Sequence, residues 1–300
     1  MVETARKICK RLHAYLQMGT YAGTVYAVYP DAVYCNTSIG MISVLSSAHC
    51  LSPFSAVVPA TKPFPRSDIA EGQQVLLGNE KIDFPECDFS VDLSQATDYD
   101  LSLDSIRAVF LPNDYDIRLR HILRVIETNA KEDDLCPLVT DLKPNAYSEL
   151  IGPHLPLLHE AFRDQDAAVC REASEQIAGI GVGLIPSSDR MICGYMAGYA
   201  ALSAALGRSF SRVLEMTRVL AGTAAARTTE LSGAFVLQCG EGLVPEDLFQ
   251  LLRNVLSDAP YSALVACANR IAALPLGGGT DMLVGVYLSL SMLYAVNPIN

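Results

Sequence analysis

The run Gly179-Ile180-Gly181-Val182-Gly183-Leu184-Ile185-Pro186-Ser187-Ser188-Asp189 is the most unusual chemistry-bearing segment of the chain. A glycine-rich loop enters Pro-Ser-Ser-Asp and then a helical pattern. Ser187 or Ser188 can cap that helix, and Asp189 falls in its first turn. The first N–H groups of a helix lack intrahelical partners and suit an anion. The functional reading is a phosphate or carboxylate site using Gly181, Gly183, Pro186, Ser187, Ser188, Asp189 and Arg190. The structural reading is a capped helix start with glycines for close packing. No Lys follows as in a Walker loop, and no βαβ unit surrounds the glycines as a dinucleotide fingerprint requires.

A second loop has the same design: Gly277-Gly278-Gly279-Thr280-Asp281 opens the last helical pattern. Ser187–Gly194 aligns without gaps on Gly278–Gly285, with Met191 over Met282 and Gly194 over Gly285. This suggests an internal repeat whose two helix starts face one pocket. Arg227-Thr228-Thr229, with Ser232 one turn on, is the third feature; it reads as an anion clamp or as an ordinary Thr cap beside a solvated Arg. The combined expectation is one pocket in which the N–H groups of Ser187, Ser188, Gly279 and Thr280 contact an anion and Arg227 or Arg190 neutralises it. No residue is assigned a catalytic role.

Other chemistries lack their residues. His154 and His159 are five apart and no His-Glu-x-x-His occurs, so no metal site is expected. No Gly-x-Ser-x-Gly elbow is present. None of the nine cysteines has Cys-x-x-Cys spacing, and their scatter reads as reduced core residues of a cytoplasmic protein. With 22 Lys+Arg against 33 Asp+Glu the net charge is −11, which excludes an electrostatic nucleic-acid footprint and an attraction to anionic membranes. The apolar run Met282–Val296 is shorter than the ~20 residues a membrane span needs. The basic start, Arg6 to Arg11, leads into no continuous apolar stretch, so it does not read as a signal peptide.

Two kinds of element must position these loops. Half the residues are apolar and the mean hydropathy is +0.25, as in a chain with a sizeable core. After a short helix suggested by Ile8, Leu12 and Leu16, the spacing predicts strands at Tyr21–Tyr29, Ala32–Thr37, Met41–Leu45, Phe54–Val58, Gln74–Leu77 and Lys81–Phe84, with a loop at Pro59–Ser67. Past residue 100 the pattern turns helical, in Ala- and Leu-rich segments from Asp114–Thr128 to Asp281–Val296, with a loop at Glu132–Ser148. The expected class is α+β: a small antiparallel β barrel or sandwich over 1–105, then an all-α domain over 106–300.

The motifs resemble a known family. GIGVGLIPSSDRMICG is similar to Gly-x-Gly-x-Gly-Leu-Thr-Pro-Ser-Gly-Asp-Asp-(aromatic)-Leu-x-Gly, the signature of the AllH-like proteins. GGGTDMLVG resembles the later Ser-Gly-x-Asp-x-Leu-x-Gly, and Arg227-Thr228-Thr229 with Ser232 falls where the family has its Arg-Thr-Thr helix. The stretch from Gly72 to Asp100 resembles the strand pair leading into the family's VDLS-x-A turn. The resemblance implies a cytosolic subunit of oxamate carbamoyltransferase, working beside an FdrA-type subunit and a third chain. The reaction it implies is phosphorolysis of oxalurate to oxamate and carbamoyl phosphate, in allantoin and purine-nitrogen breakdown, with no cofactor.

The chain departs from the pattern: Ile185 replaces Thr, Ser188 replaces Gly, Arg190 replaces the second Asp, and Gly278 replaces Ser. Asp to Arg would end any paired-carboxylate cation site and make an anion site more basic. Two alternatives stay open beside the complex subunit: a stand-alone binder of a small carboxylate or phosphate, and a non-catalytic structural partner.

Overall fold

A computed structural model describes residues 2–59, 68–78, 80–106, 111–274 and 278–296. The chain forms two compact units, Met1–Leu101 and Ser102–Asn300. The class is α+β.

Among the described residues the first unit is a curled sheet of ten strands. They are β1 (Val2–Thr4), β2 (Lys7–Cys9), β3 (Tyr21–Tyr29), β4 (Ala32–Thr37), β5 (Gly40–Ser46), β6 (Ser55–Val58), β7 (Gln74–Gly78), β8 (Lys81–Phe84), β9 (Phe89–Asp92) and β10 (Thr97–Tyr99). β1 and β2 form one bent segment that pairs with β9 at its beginning and with β6 at its end. That segment joins the two ends of the order β9-β8-β7-β3-β4-β5-β6 into a ring, which protects its edges. The sheet is mixed: β1·β9, β5·β6 and β2·β10 are parallel, and the remaining pairings are antiparallel as expected. Alternation puts Val75, Leu77, Ile82, Phe84 and Val91 inside. Helix α1 (Lys10–Met18) follows β2 and buries Leu12 and Leu16; Ile8, expected in this helix, belongs to the strand before it. Most of the Pro59–Ser67 segment lies outside the described residues.

The second unit is helical: α2 (Tyr115–Thr128), α3 (Ala146–Ile151), α4 (Leu155–Asp164), α5 (Ala167–Ile177), α6 (Ser187–Ala205), α7 (Phe210–Ala225), α8 (Glu230–Gly240), α9 (Glu246–Val255), α10 (Tyr261–Ala272) and α11 (Gly279–Val296). α6 is apolar on all sides after its first turn and buried from Met191 to Ser203, so it must be the centre of the bundle. α11 packs along it. A Cβ on Gly194 would collide with the Met282 carbonyl, one on Gly285 with the Met191 carbonyl, and one on Gly198 with the Ser289 hydroxyl. These contacts keep one register, so α6 and α11 run parallel with both N-termini at the same end.

The reciprocity of Gly194–Met282 and Gly285–Met191 is that of a two-fold axis, since each member of one pair stands 91 residues from its counterpart in the other. The relation extends beyond the short alignment that suggested it. α9 stands 91 residues after α4 and has the same length. α4 packs on α5 as α9 packs on α10, α5 on α7 as α10 on α2, and α6 on α7 as α11 on α2. The helical unit is therefore an internal repeat, α2–α6 and α7–α11. The halves differ most where α8 packs on α6: there α11 meets the 3-10 turn Cys136–Leu138. That turn and the start of α3 lie in the segment Glu132–Ser148, expected from sequence to be a loop. Asp134 binds its turn through the N–H groups of Lys131 and Cys136, and Asn145 makes a capping box at α3.

Candidate functional site

The start of α6 is a closed hydrogen-bond cage. Gly179 (φ +74°) and Gly181 (φ +127°) hold left-handed conformations that turn the chain from α5 back onto α6. Gly181 lies directly against the Ser187 nitrogen, where no side chain would fit. Asp189 is 0% exposed. Its Oδ1 accepts from the Gly179 N–H at 2.8 Å and the Ser188 hydroxyl at 3.4 Å. Its Oδ2 accepts from the Ser232 hydroxyl at 2.6 Å and from the Thr228 hydroxyl. A buried carboxylate is tolerated when donors replace its water, and these four do so.

The cage engages most of the residues expected to hold a ligand. Ser188 donates its N–H to the Ile180 carbonyl at 2.9 Å and accepts the Ile180 N–H at 2.8 Å, so its N–H is not open to an external anion. Thr229 caps α8, accepting the Ser232 N–H at 3.1 Å and donating to the Leu184 carbonyl at 2.6 Å. The N-cap position of α6 is Pro186, not a serine. Arg227 is exposed; its carbonyl packs on Gly179, and its guanidinium has no hydrogen bond among the described residues. Gly183 (φ +91°) stands in open space between exposed Val182 and Leu184.

The start of α11 meets the start of α6 and is built differently. The Arg190 side chain lies directly over Gly278, in the space a Cβ there would take, so a larger residue would have to push the guanidinium aside. Gly279 packs on the Ile271 carbonyl. Thr280 is 0% exposed, and its hydroxyl has no hydrogen-bond partner among the described residues. Asp281 is buried; it accepts the Leu135 N–H at 2.8 Å and a hydrogen bond from the Ser187 hydroxyl. Burial pushes its carboxyl up to about 6 and the neighbouring Asp134 adds to this, against the Leu135 N–H, Ser187 and Arg190. Burial also lowers the Arg190 pKa, while Asp281 and Asp189 favour its charge. Gly277 lies outside the described residues.

All three segments singled out in the sequence thus converge: α6 meets α8 through Asp189, and α11 through Arg190 and Ser187. Asp134 and Leu135 join them without having been anticipated. The only hint was the acidic pair Asp133-Asp134 ahead of a proline turn. Among the described residues no group of His, Cys, Asp and Glu could hold a metal ion. His159, the one strongly shifted histidine, is held down to about 4 by burial and pairs with the Tyr195 hydroxyl at 3.0 Å.

The family described as "Oxamate carbamoyltransferase subunit AllH" matches residues 177–290, from the end of α5 through both helix starts to α11. The AllH family N-terminal domain matches residues 4–98, nearly the whole β unit. The chain belongs to the AllH family. The AllH match contains the Asp189 cage and the Arg190–Asp281 junction in full, apart from Asp134 and Leu135. The AllH description is that of a subunit of a multi-subunit carbamoyltransferase. No curated protein and no solved structure matches the chain. Among the described residues no helix is long and apolar enough to cross a membrane.

Proposed function

We propose that this AllH chain works within an oxamate carbamoyltransferase-like complex and holds a small anionic substrate where α6 and α11 begin. The observation that carries the reading is the Arg190 side chain lying over Gly278, at the mouth of a helix whose first N–H groups point the same way. In the proposed reaction a phosphate oxygen bonds to the carbamoyl carbon of oxalurate and the C–N bond to oxamate breaks. The nitrogen takes up a proton, and carbamoyl phosphate leaves. Negative charge develops on the carbamoyl oxygen, so positioning and a fixed cation lower the barrier without a covalent intermediate. The proposed partners are an FdrA-type subunit and a third chain, and the setting is allantoin and purine-nitrogen breakdown. A cytoplasmic location suits nine cysteines that are all free thiols.

Reconstitution tests this reading. The chain combined with its partner subunits should release carbamoyl phosphate from oxalurate and phosphate. Arg190→Ala should lower turnover by about a hundredfold while the complex still assembles. Equal turnover with and without this chain would remove it from the reaction. A stand-alone anion binder would instead respond to ligand without recruiting any partner.

A further inference from the structure

We infer that the start of α11 is a carboxylate site, in which the ligand's carboxylate takes the place that the Asp189 side chain holds in the other half of the repeat. This rests on the anion-site reading above and narrows its ligand class.

The repeat assigns the counterpart. Thr280 stands 91 residues after Asp189, the spacing that relates Met191 to Met282 and Gly194 to Gly285. The backbone before each is supported alike: Ser188 bonds to the Ile180 carbonyl, and Gly279 packs on the carbonyl of Ile271, again 91 residues later. At Asp189 the protein supplies its own carboxylate to a backbone N–H and three hydroxyls. At Thr280 it supplies none. The shorter, neutral side chain leaves a fully buried hydroxyl with no partner among the described residues. Such a group is rare in a native fold and asks for an explanation. The Cβ of a helical residue tilts toward the helix N-terminus, so this hydroxyl lies over the first turn of α11. Arg190 lies over Gly278, two residues before Thr280 at the same helix start, and its guanidinium has no hydrogen-bond partner among the described residues.

The charges around it limit the ligand. Asp281 is turned to the Leu135 N–H and to Ser187, Asp134 lies beside it, and Asp189 is enclosed in its own cage. One cation among these carboxylates suits a singly charged carboxylate better than a phosphate dianion. Oxamate is a ligand of that class.

The test is thermal unfolding of the purified chain with sodium oxamate, with inorganic phosphate as the comparison. Oxamate at about 10 mM should raise Tm, since a ligand that binds only the native state stabilises it. Thr280→Val keeps the shape and removes the hydroxyl. It should weaken oxamate by about tenfold or more while its own ligand-free Tm stays equal or rises, because the unpartnered hydroxyl is gone. Thr280→Ser should retain binding, which covers the case in which the Val variant does not fold. Arg227→Ala should leave the response intact. Equal stabilisation of wild type and Thr280→Val by oxamate would overturn the assignment and leave the anion-site reading standing at another position. A response to phosphate alone would overturn the carboxylate class. No response to either anion would overturn both the site and the class, while the reconstituted reaction would still decide the subunit reading.

Discussion

The two helix starts at the centre of the helical unit share a backbone plan and differ in how their donors are used. At α6 the donors converge on a carboxylate that belongs to the protein; at α11 the buried Thr280 hydroxyl has no hydrogen-bond partner among the described residues, and the Arg190 side chain lies over Gly278. The comparison teaches that a glycine loop running into a helix is not by itself a ligand site. What separates a structural node from a binding site is whether the donors are already satisfied. The repeat makes this visible because one chain holds two versions of the arrangement, of which the α6 version is closed by its own carboxylate.

Breaking the filled half should have the largest effect. Asp189→Ala leaves the Gly179 N–H and the Thr228 and Ser232 hydroxyls buried without an acceptor. It should destabilise the fold by about 3–5 kcal/mol in urea unfolding. A loss below ~1 kcal/mol would mean that the cage contributes little.

Asp281 gives a pH signature for the other half. Its carboxyl has an ordinary value of 3.8 and lies at about 6 in the fold. Between those values the native state binds more protons than the unfolded state, so stability from this group falls as pH rises from about 4 to about 6. The full difference is about 3 kcal/mol by the pKa-to-energy conversion. Asp281→Asn, whose amide oxygen can still accept the Leu135 N–H, should remove that slope. Unfolding curves across pH that are the same for wild type and variant would contradict it.

The axis itself is sharpened by a smaller change. Gly194→Ala and Gly285→Ala push a Cβ into the opposite helix at symmetric places. Each should cost about 1–3 kcal/mol, and the two costs should be similar. The smallest expected effect is Arg227→Ala, an exposed side chain without a partner among the described residues, which should shift stability by less than about 0.5 kcal/mol.

Much of this could be read from residues alone, and the gaps have physical causes. Strands β3, β4 and β8 lie where alternation placed them. β1, β2 and β10 are three residues each, too short for a period of two to register. Helix α4 was hidden by Pro153 and Pro156, which look like breakers but stand at the start of the 3-10 turn Gly152–His154 and of α4 itself, where no N–H is needed. The clamp chemistry of Thr228 and Ser232 was legible, yet its anion is Asp189, because sequence cannot tell a donor facing solvent from one facing a neighbouring helix. The α4–α9 correspondence left a single identity, Leu157 over Leu248, too little to follow, and emerged only from the packing.

The most direct test is a crystal structure of the chain grown with oxamate. The account predicts the oxamate carboxylate at the start of α11, within hydrogen-bond distance of the Thr280 hydroxyl and the Arg190 guanidinium, with Asp189 still bound to Thr228 and Ser232. Oxamate seated instead on the Gly181–Ser187 loop beside Arg227, or an α11 start holding only protein atoms at saturating oxamate, would contradict it.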